Sequence, residues 1–178
     1  MVQLSESDLL AVSHHLFYEI WMFYESARFL KQDGRHDVVL TNVHLESCTV
    51  HGRVLLAFFY NEAQKDDIIA EHYIKRWRGL CPDMRENLKK LSYRVGKEIV
   101  HLTYFRIKVT SQTKKWDVYA VERELYEVIK KFQECVPKHV VTEKLLNLCP
   151  IDTKATPVPT TSATPFYATN TSAWVYKA

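Results

Sequence analysis

The amino-acid sequence predicts an all-α protein, an up-and-down four-helix bundle followed by a mobile C-terminal tail. Three observations carry that reading. Apolar residues recur every three or four positions through several long stretches, the spacing of one helix face. Breakers are scarce: 178 residues hold 4 Gly and 6 Pro, and Pro157, Pro159 and Pro165 all fall near the C-terminus. The links between periodic stretches are short and polar, which suits helices that turn back on their neighbours.

Helix one is expected from just after Ser5 or Ser7 to about Lys31. Leu9, Val12, Leu16, Ile20, Phe23, Ala27 and Leu30 form its stripe, widened by Phe17, Trp21 and Tyr24. Asp33 to Asp37 reads as a turn. Helix two follows, from Val38 or Asn42 to Asn61, on a seam of Leu45, Cys48, Gly52, Leu55 and Phe59. A glycine in mid-helix costs ~1 kcal/mol against alanine, so Gly52 predicts the close approach of another helix. His44, Cys48 and His51 share a face of helix two, but Cys48 belongs to the apolar seam and no fourth metal ligand stands at recognisable spacing. No metal or cofactor is expected.

A short helix is expected from Asp67 to Trp77, with Asp66 and Asp67 placed to cap it. Lys75, Arg76 and Arg78 surround Trp77: either a basic turn around a core tryptophan or a place where a nucleic-acid strand stacks. Pro82-Asp83 opens the next segment, where Leu88, Leu91, Val95, Ile99 and Leu102 set a helical seam buried on one side. Ser92 offers a second start within it. Tyr104 to Thr110 alternates as a strand would, and Thr110 to Lys115 reads as a loop. Asp117 caps a helix with Val118, Val121, Leu125, Val128 and Phe132 on its seam, ended by Pro137, and Thr142 to Leu148 adds a turn or two. Residues 1–149 are thus expected to form one helical domain. Residues 150–178, rich in Thr, Ala, Ser and Pro, read as a tail with too little periodic apolar surface to order itself, although it carries Phe166, Tyr167, Trp174 and Tyr176.

Composition narrows the function classes. The formal charge of +3 is too small to demand nucleic acid, yet leaves room for a local basic patch. The longest apolar run is Val54 to Tyr60. A membrane span needs about 18 residues, so none is expected. The acidic N-terminal stretch lacks the basic start of an export signal. Cys48, Cys81, Cys135 and Cys149 are widely spaced, as reduced thiols in a cytoplasmic protein would be.

Arg94 and His101 carry the chemistry. They stand seven positions apart in RVGKEIVH, with Lys97 and Glu98 nearby. On an α-helix they would rise by ~10 Å and share a face. A guanidinium fits phosphate, and an imidazole takes and gives protons near neutral pH. Together they suit a phosphodiester, although a plain solvated Arg and His would look the same.

The order NVHLESCTVHGRVLLAFFYN, DDIIAEHYIKRW and RVGKEIVHLTY resembles a group of small bacterial HEPN-like proteins over roughly residues 10–134. Many members of that superfamily are homodimeric, metal-independent RNA endonucleases marked by an Arg and a His four to six residues apart; here six intervene. The resemblance implies that Arg94 and His101 are catalytic. It places His51 and Arg53 on the family's HxR, with Lys97, Glu98 and Tyr104 as candidate site support. It implies RNA cleavage by 2′-OH attack, a toxin or defence role, and an antitoxin or other protein partner. Val95 and Gly96 stand where active members often carry polar residues. A second expectation therefore stays open: an inactive helical module that binds a protein, a nucleotide or RNA.

Overall fold

The computed structural model describes residues 4–32, 37–62, 64, 66–110 and 115–148. Among these the chain is all-α. In order come α1 (Glu6–Lys31), α2 (Val38–Tyr60), α3 (Ala70–Tyr73), α4 (Trp77–Leu80), α5 (Glu86–Arg94), a π-helical segment (Val95–Val100), a 3-10 turn (Tyr104–Lys108), α6 (Val118–Cys135), a 3-10 turn (Lys138–Val140) and α7 (Glu143–Leu146). No described helix is long and apolar enough to cross a membrane.

The caps explain where the long helices begin. The Ser5 side chain accepts from the Asp8 N–H while Asp8 accepts from the Ser5 N–H, so two orphan donors of α1 are satisfied at once. The Ser5 hydroxyl, and after it the Ser5 N–H, hold the Asp8 carboxyl below its ordinary range. Asp37 accepts from the Val39 and Leu40 N–H groups at the start of α2, and Asp117 from Ala120 at the start of α6. The expected turn at Asp33–His36 lies outside the described residues, as do the middle of the Thr110–Lys115 loop and the tail from residue 150 onward.

α1 and α2 run antiparallel. Phe29 stacks on His44 with ring centres 3.7 Å apart, Ser26 donates to Ser47 at 2.8 Å, and Glu19 meets His51 at 2.6 Å. As the α1 number falls, the α2 number rises. Gly52 sits where this pair receives a third element: a β-carbon there would lie 3.0 Å from Leu91 of α5 and 3.3 Å from Phe23 of α1. The close approach expected from a glycine in mid-helix is present.

α6 closes the core with an aromatic hub. The Phe132 ring lies edge-on to Phe58, Phe59, Tyr73 and Trp77, with centroids 5.5, 5.6, 5.7 and 5.6 Å away. Such pairs stabilise by about 0.5–1.5 kcal/mol each beyond the area they bury. Trp77 is a core residue, and its indole N–H donates to the Phe59 carbonyl at 2.9 Å while Lys75, Arg76 and Arg78 stay exposed. Ser13 joins the C-terminal segment to α1: it donates to Leu10 O and accepts from the Thr142 N–H.

Three expectations are corrected. The helix from Asp67 to Trp77 is two short ones, because Arg76 turns left-handed at φ 63° between them. Asp67 closes the preceding loop by accepting from the Gln64 N–H, whereas the N–H just ahead of α3, on Ile69, finds His72 Nδ1. The strand at Tyr104–Thr110 is a 3-10 turn over Tyr104–Lys108. An isolated strand would leave its backbone groups unpaired. Here the Arg106 N–H bonds Thr103 O at 3.0 Å. Leu102, expected in a buried seam, is 91% exposed, because the chain leaves the helix at His101.

Candidate functional site

α5 delivers Arg94 as its last residue, with Leu88 and Leu91 anchoring the helix below it. Beyond Arg94 the backbone widens into a π-helix. Val95 is fully buried, and the His101 N–H reaches back five residues to Gly96 O at 3.3 Å. Widened turns of this kind are rare and cluster at functional sites. Downstream side chains meet the loose carbonyls at its end, as helix termini require. Thr103 Oγ1 donates to Lys97 O at 2.7 Å and Arg106 Nη2 donates to Ile99 O at 2.8 Å.

Arg94 is held on three sides. Its Nε and Nη2 donate to the two oxygens of Glu98 at 2.6 and 2.8 Å, and Nη1 donates to the Lys115 carbonyl at 2.7 Å. Its guanidinium carbon lies 4.0 Å from the centre of the Trp116 ring. The Arg94 and Glu98 side chains are only 18% and 10% exposed. The fork that would suit a phosphate is therefore occupied by a carboxylate in a half-dry setting.

His101 is different. It sits at φ −118° and ψ 142°, off the end of the π-turn, exposed and with no side-chain partner among the described residues. The shared face expected from seven-residue spacing requires an unbroken α-helix between the two. The wider turn shifts the phase, and the extended residue at the end removes His101 from the helix altogether. Arg94 turns to Glu98 and Trp116 while His101 stands in water.

The HxR pair is also divided, because residues two apart on a helix face different ways. His51 goes to α1, where Nδ1 meets Glu19 Oε2 at 2.6 Å and its ring lies 5.8 Å from Tyr18. Arg53 goes to the π-turn: a β-carbon on Gly96 would lie 3.5 Å from its Nη1. Arg53 therefore joins the Arg94 neighbourhood and His51 does not. Tyr104, on the same segment as His101, is 88% exposed, and Lys97 is exposed as well. His44, Cys48 and His51 separate into a ring stack, a core thiol and a hydrogen bond to Glu19.

The segment also carries features that periodicity does not reveal. Leu102 and Ile107 stand 91% and 80% exposed near Tyr104 in the chain, and Tyr93 packs edge-on to Phe105 with centroids 6.0 Å apart. Lys97, His101 and Lys108 interleave with them. Trp116 is legible in the sequence only as a tryptophan just ahead of a helix cap. Its role depends on α6 and α5 lying side by side.

No family model matches the chain, and no curated protein or solved structure matches it.

Proposed function

We propose that the chain is an RNA-directed helical protein whose working surface is the segment 93–108, binding single-stranded RNA. The observation that carries this reading is the exposure of Tyr93, Leu102 and Tyr104 among the cations Lys97 and Lys108 and the imidazole of His101. Exposed aromatic faces accept stacked bases of any sequence, and lysines neutralise the phosphates between them. The resemblance to HEPN-like proteins points the same way. It implies an up-and-down bundle of α1, α2, α5 and α6, and a homodimer that brings two copies of the Arg94–His101 segment near each other.

A second reading is metal-independent RNA cleavage, and one observation favours it: the His101 imidazole is exposed, with no side-chain partner among the described residues. It would take the proton of a ribose 2′-OH as that oxygen attacks the neighbouring phosphorus. The 5′-oxygen would leave, protonated by the imidazole of a second copy, giving a 2′,3′-cyclic phosphate. Arg94 would stabilise the charge on the phosphoryl oxygens, for which it must first exchange Glu98 for phosphate. That requirement makes binding the better-supported of the two.

One experiment separates them. Labelled single-stranded RNA is titrated with the protein in EDTA, and binding and product ends are both read. Bound but intact RNA, with affinity falling at least fivefold in Lys97→Ala and Tyr104→Ala, is the expected result. Products ending in cyclic phosphate, lost in His101→Ala with melting temperature unchanged and lost also in Arg94→Lys, would establish cleavage. RNA that neither binds nor is cut removes both.

A further inference from the structure

A cleft of about 280 Å³ opens between α1, α2 and the loop that leads into α3. Leu16, Leu55, Phe58 and Ile69 line it and are also buried core residues, so its apolar wall is preformed. The polar groups that line it are His15, Glu19 and Asp67. Among the described residues no lysine or arginine lines it, although the chain has 24 of them.

The carboxylates are fixed. A carboxylate only accepts, so His51 Nδ1 carries the proton in its 2.6 Å contact with Glu19 Oε2, and the second helix thereby orients Glu19. Glu19 keeps 24% of its side-chain surface exposed. Asp67 is oriented by the Gln64 N–H at 3.1 Å. Small-molecule sites run from roughly 300 to 1,000 Å³, so this one falls just below that range and suits a small ligand. Among the described residues the lining joins an apolar wall to the carboxylates of Glu19 and Asp67, which is complementary to a small body that ends in a positive charge.

We propose that this cleft binds a small organic ammonium, an alkyl- or arylalkylamine whose apolar body lies against Leu16 and Phe58 and whose ammonium meets Glu19 and Asp67. Charge complementarity selects this occupant over an acid or a neutral molecule of the same shape. The site is independent of the RNA reading.

The test uses the full chain and three probes of one shape: 2-phenylethylammonium, 3-phenylpropionate and 2-phenylethanol. Amide chemical shifts are followed by NMR up to about 10 mM, enough to saturate a site of roughly millimolar dissociation constant. The expected result is saturable shifts at Val54, Ile68 and Ile69 with the ammonium, and at least tenfold weaker binding of the other two. Glu19→Gln and Asp67→Asn should each weaken the ammonium severalfold. His51→Gln, which removes the imidazole but leaves the Glu19 charge, should retain most of the affinity. Val54→Trp, at a position 44% exposed and therefore tolerant, should block the cleft with the melting temperature preserved. Equal binding of phenylpropionate, shifts that map elsewhere, or no saturable binding would each overturn the proposal.

Discussion

The α1–α2 pair and the segment from Arg94 to Lys108 are built by opposite rules. In the pair, long helices start at side-chain caps, bury a continuous seam and are cross-linked by Phe29–His44, Ser26–Ser47 and Glu19–His51. In the segment, the backbone passes from α to π to extended to 3-10 within a few turns, and Leu102, Tyr104 and Ile107 face water. Polar and ring contacts hold it in shape: Trp116 and the Lys115 carbonyl on Arg94 from outside, Thr103 and Arg106 on stray carbonyls from within. The difference is one of construction: the pair is held by a continuous packed seam, the segment by scattered polar contacts around exposed Leu102, Tyr104 and Ile107.

The largest expected effect tests that division directly. Phe132→Ala removes the ring on which four others converge and should cost ~3–5 kcal/mol. Leu102 is 91% exposed. Its change to Ala should stay within about 0.5 kcal/mol. Denaturant melts of the two variants measure both. Similar losses would mean that the 93–108 surface is structural in the folded chain.

Two glycines give the next contrast. Ala at Gly52 gains ~1 kcal/mol of helix propensity. It also drives a β-carbon to 3.0 Å from Leu91 and 3.3 Å from the buried Phe23. Overpacking of ~1–3 kcal/mol should win. At Gly96 the nearest neighbour is the Arg53 guanidinium at an ordinary 3.5 Å, and Ala should be neutral or slightly stabilising. A Gly96→Ala variant less stable than Gly52→Ala would place the tight packing in the wrong region.

Glu98→Gln sharpens the account of the segment itself. Loss of the carboxylate puts one neutral amide oxygen where the charged fork met Arg94, in side chains 18% and 10% exposed. A stability loss of about 1–2 kcal/mol is expected. Hydrogen exchange should quicken at the His101 amide, which spans the π-turn, and remain unchanged in α2. If both RNA readings fail but this local effect appears, Arg94 is a structural residue of the turn.

How much of this is legible in the sequence follows the same division. Ser5 and Asp117 announce their helices because capping is a local event, and the seams of α1, α2 and α6 are legible because their period is unbroken; Asp37, read as the end of a turn, proves to be the cap of α2. The Arg94–His101 relation is not, since it depends on the hydrogen-bond period between them. Nothing in VGKEIV except Gly96 departs from an ordinary α pattern. Arg94's actual partners need the fold: Glu98 is near enough in sequence to name, but Trp116 is distant along the chain and meets it only because α6 returns alongside α5. The 3-10 turn reads as a strand in the sequence because alternation over a few residues says nothing about whether a partner strand exists.

The smallest effect on stability is read with a thiol reagent. Burial pushes the Cys48 thiol up to about 12, with the Glu122 charge adding to it, and pushes Cys81 up to about 11. Cys48 is on the α2 seam; Cys81 is half-buried in the link that leads to α5. Only the thiolate attacks, so at pH 8 both react slowly, and Cys48 additionally waits for the α1–α2 packing to open. In a Cys135→Ser, Cys149→Ser background, peptide mapping should show Cys81 labelled at least tenfold faster than Cys48, and the two rates should converge in denaturant. The sign of the pH dependence follows from the same shift. A thiol whose folded value lies above the ordinary 9.0 favours folding while it is neutral, so its contribution is intact below pH 9 and is lost as pH rises from 9 towards 12. Cys48→Ala should therefore flatten the alkaline fall in stability, although its neutral-pH stability drops slightly through the smaller side chain. Equal labelling of the two cysteines in the native state would mean that the α1–α2 pair opens as readily as the link that leads to α5.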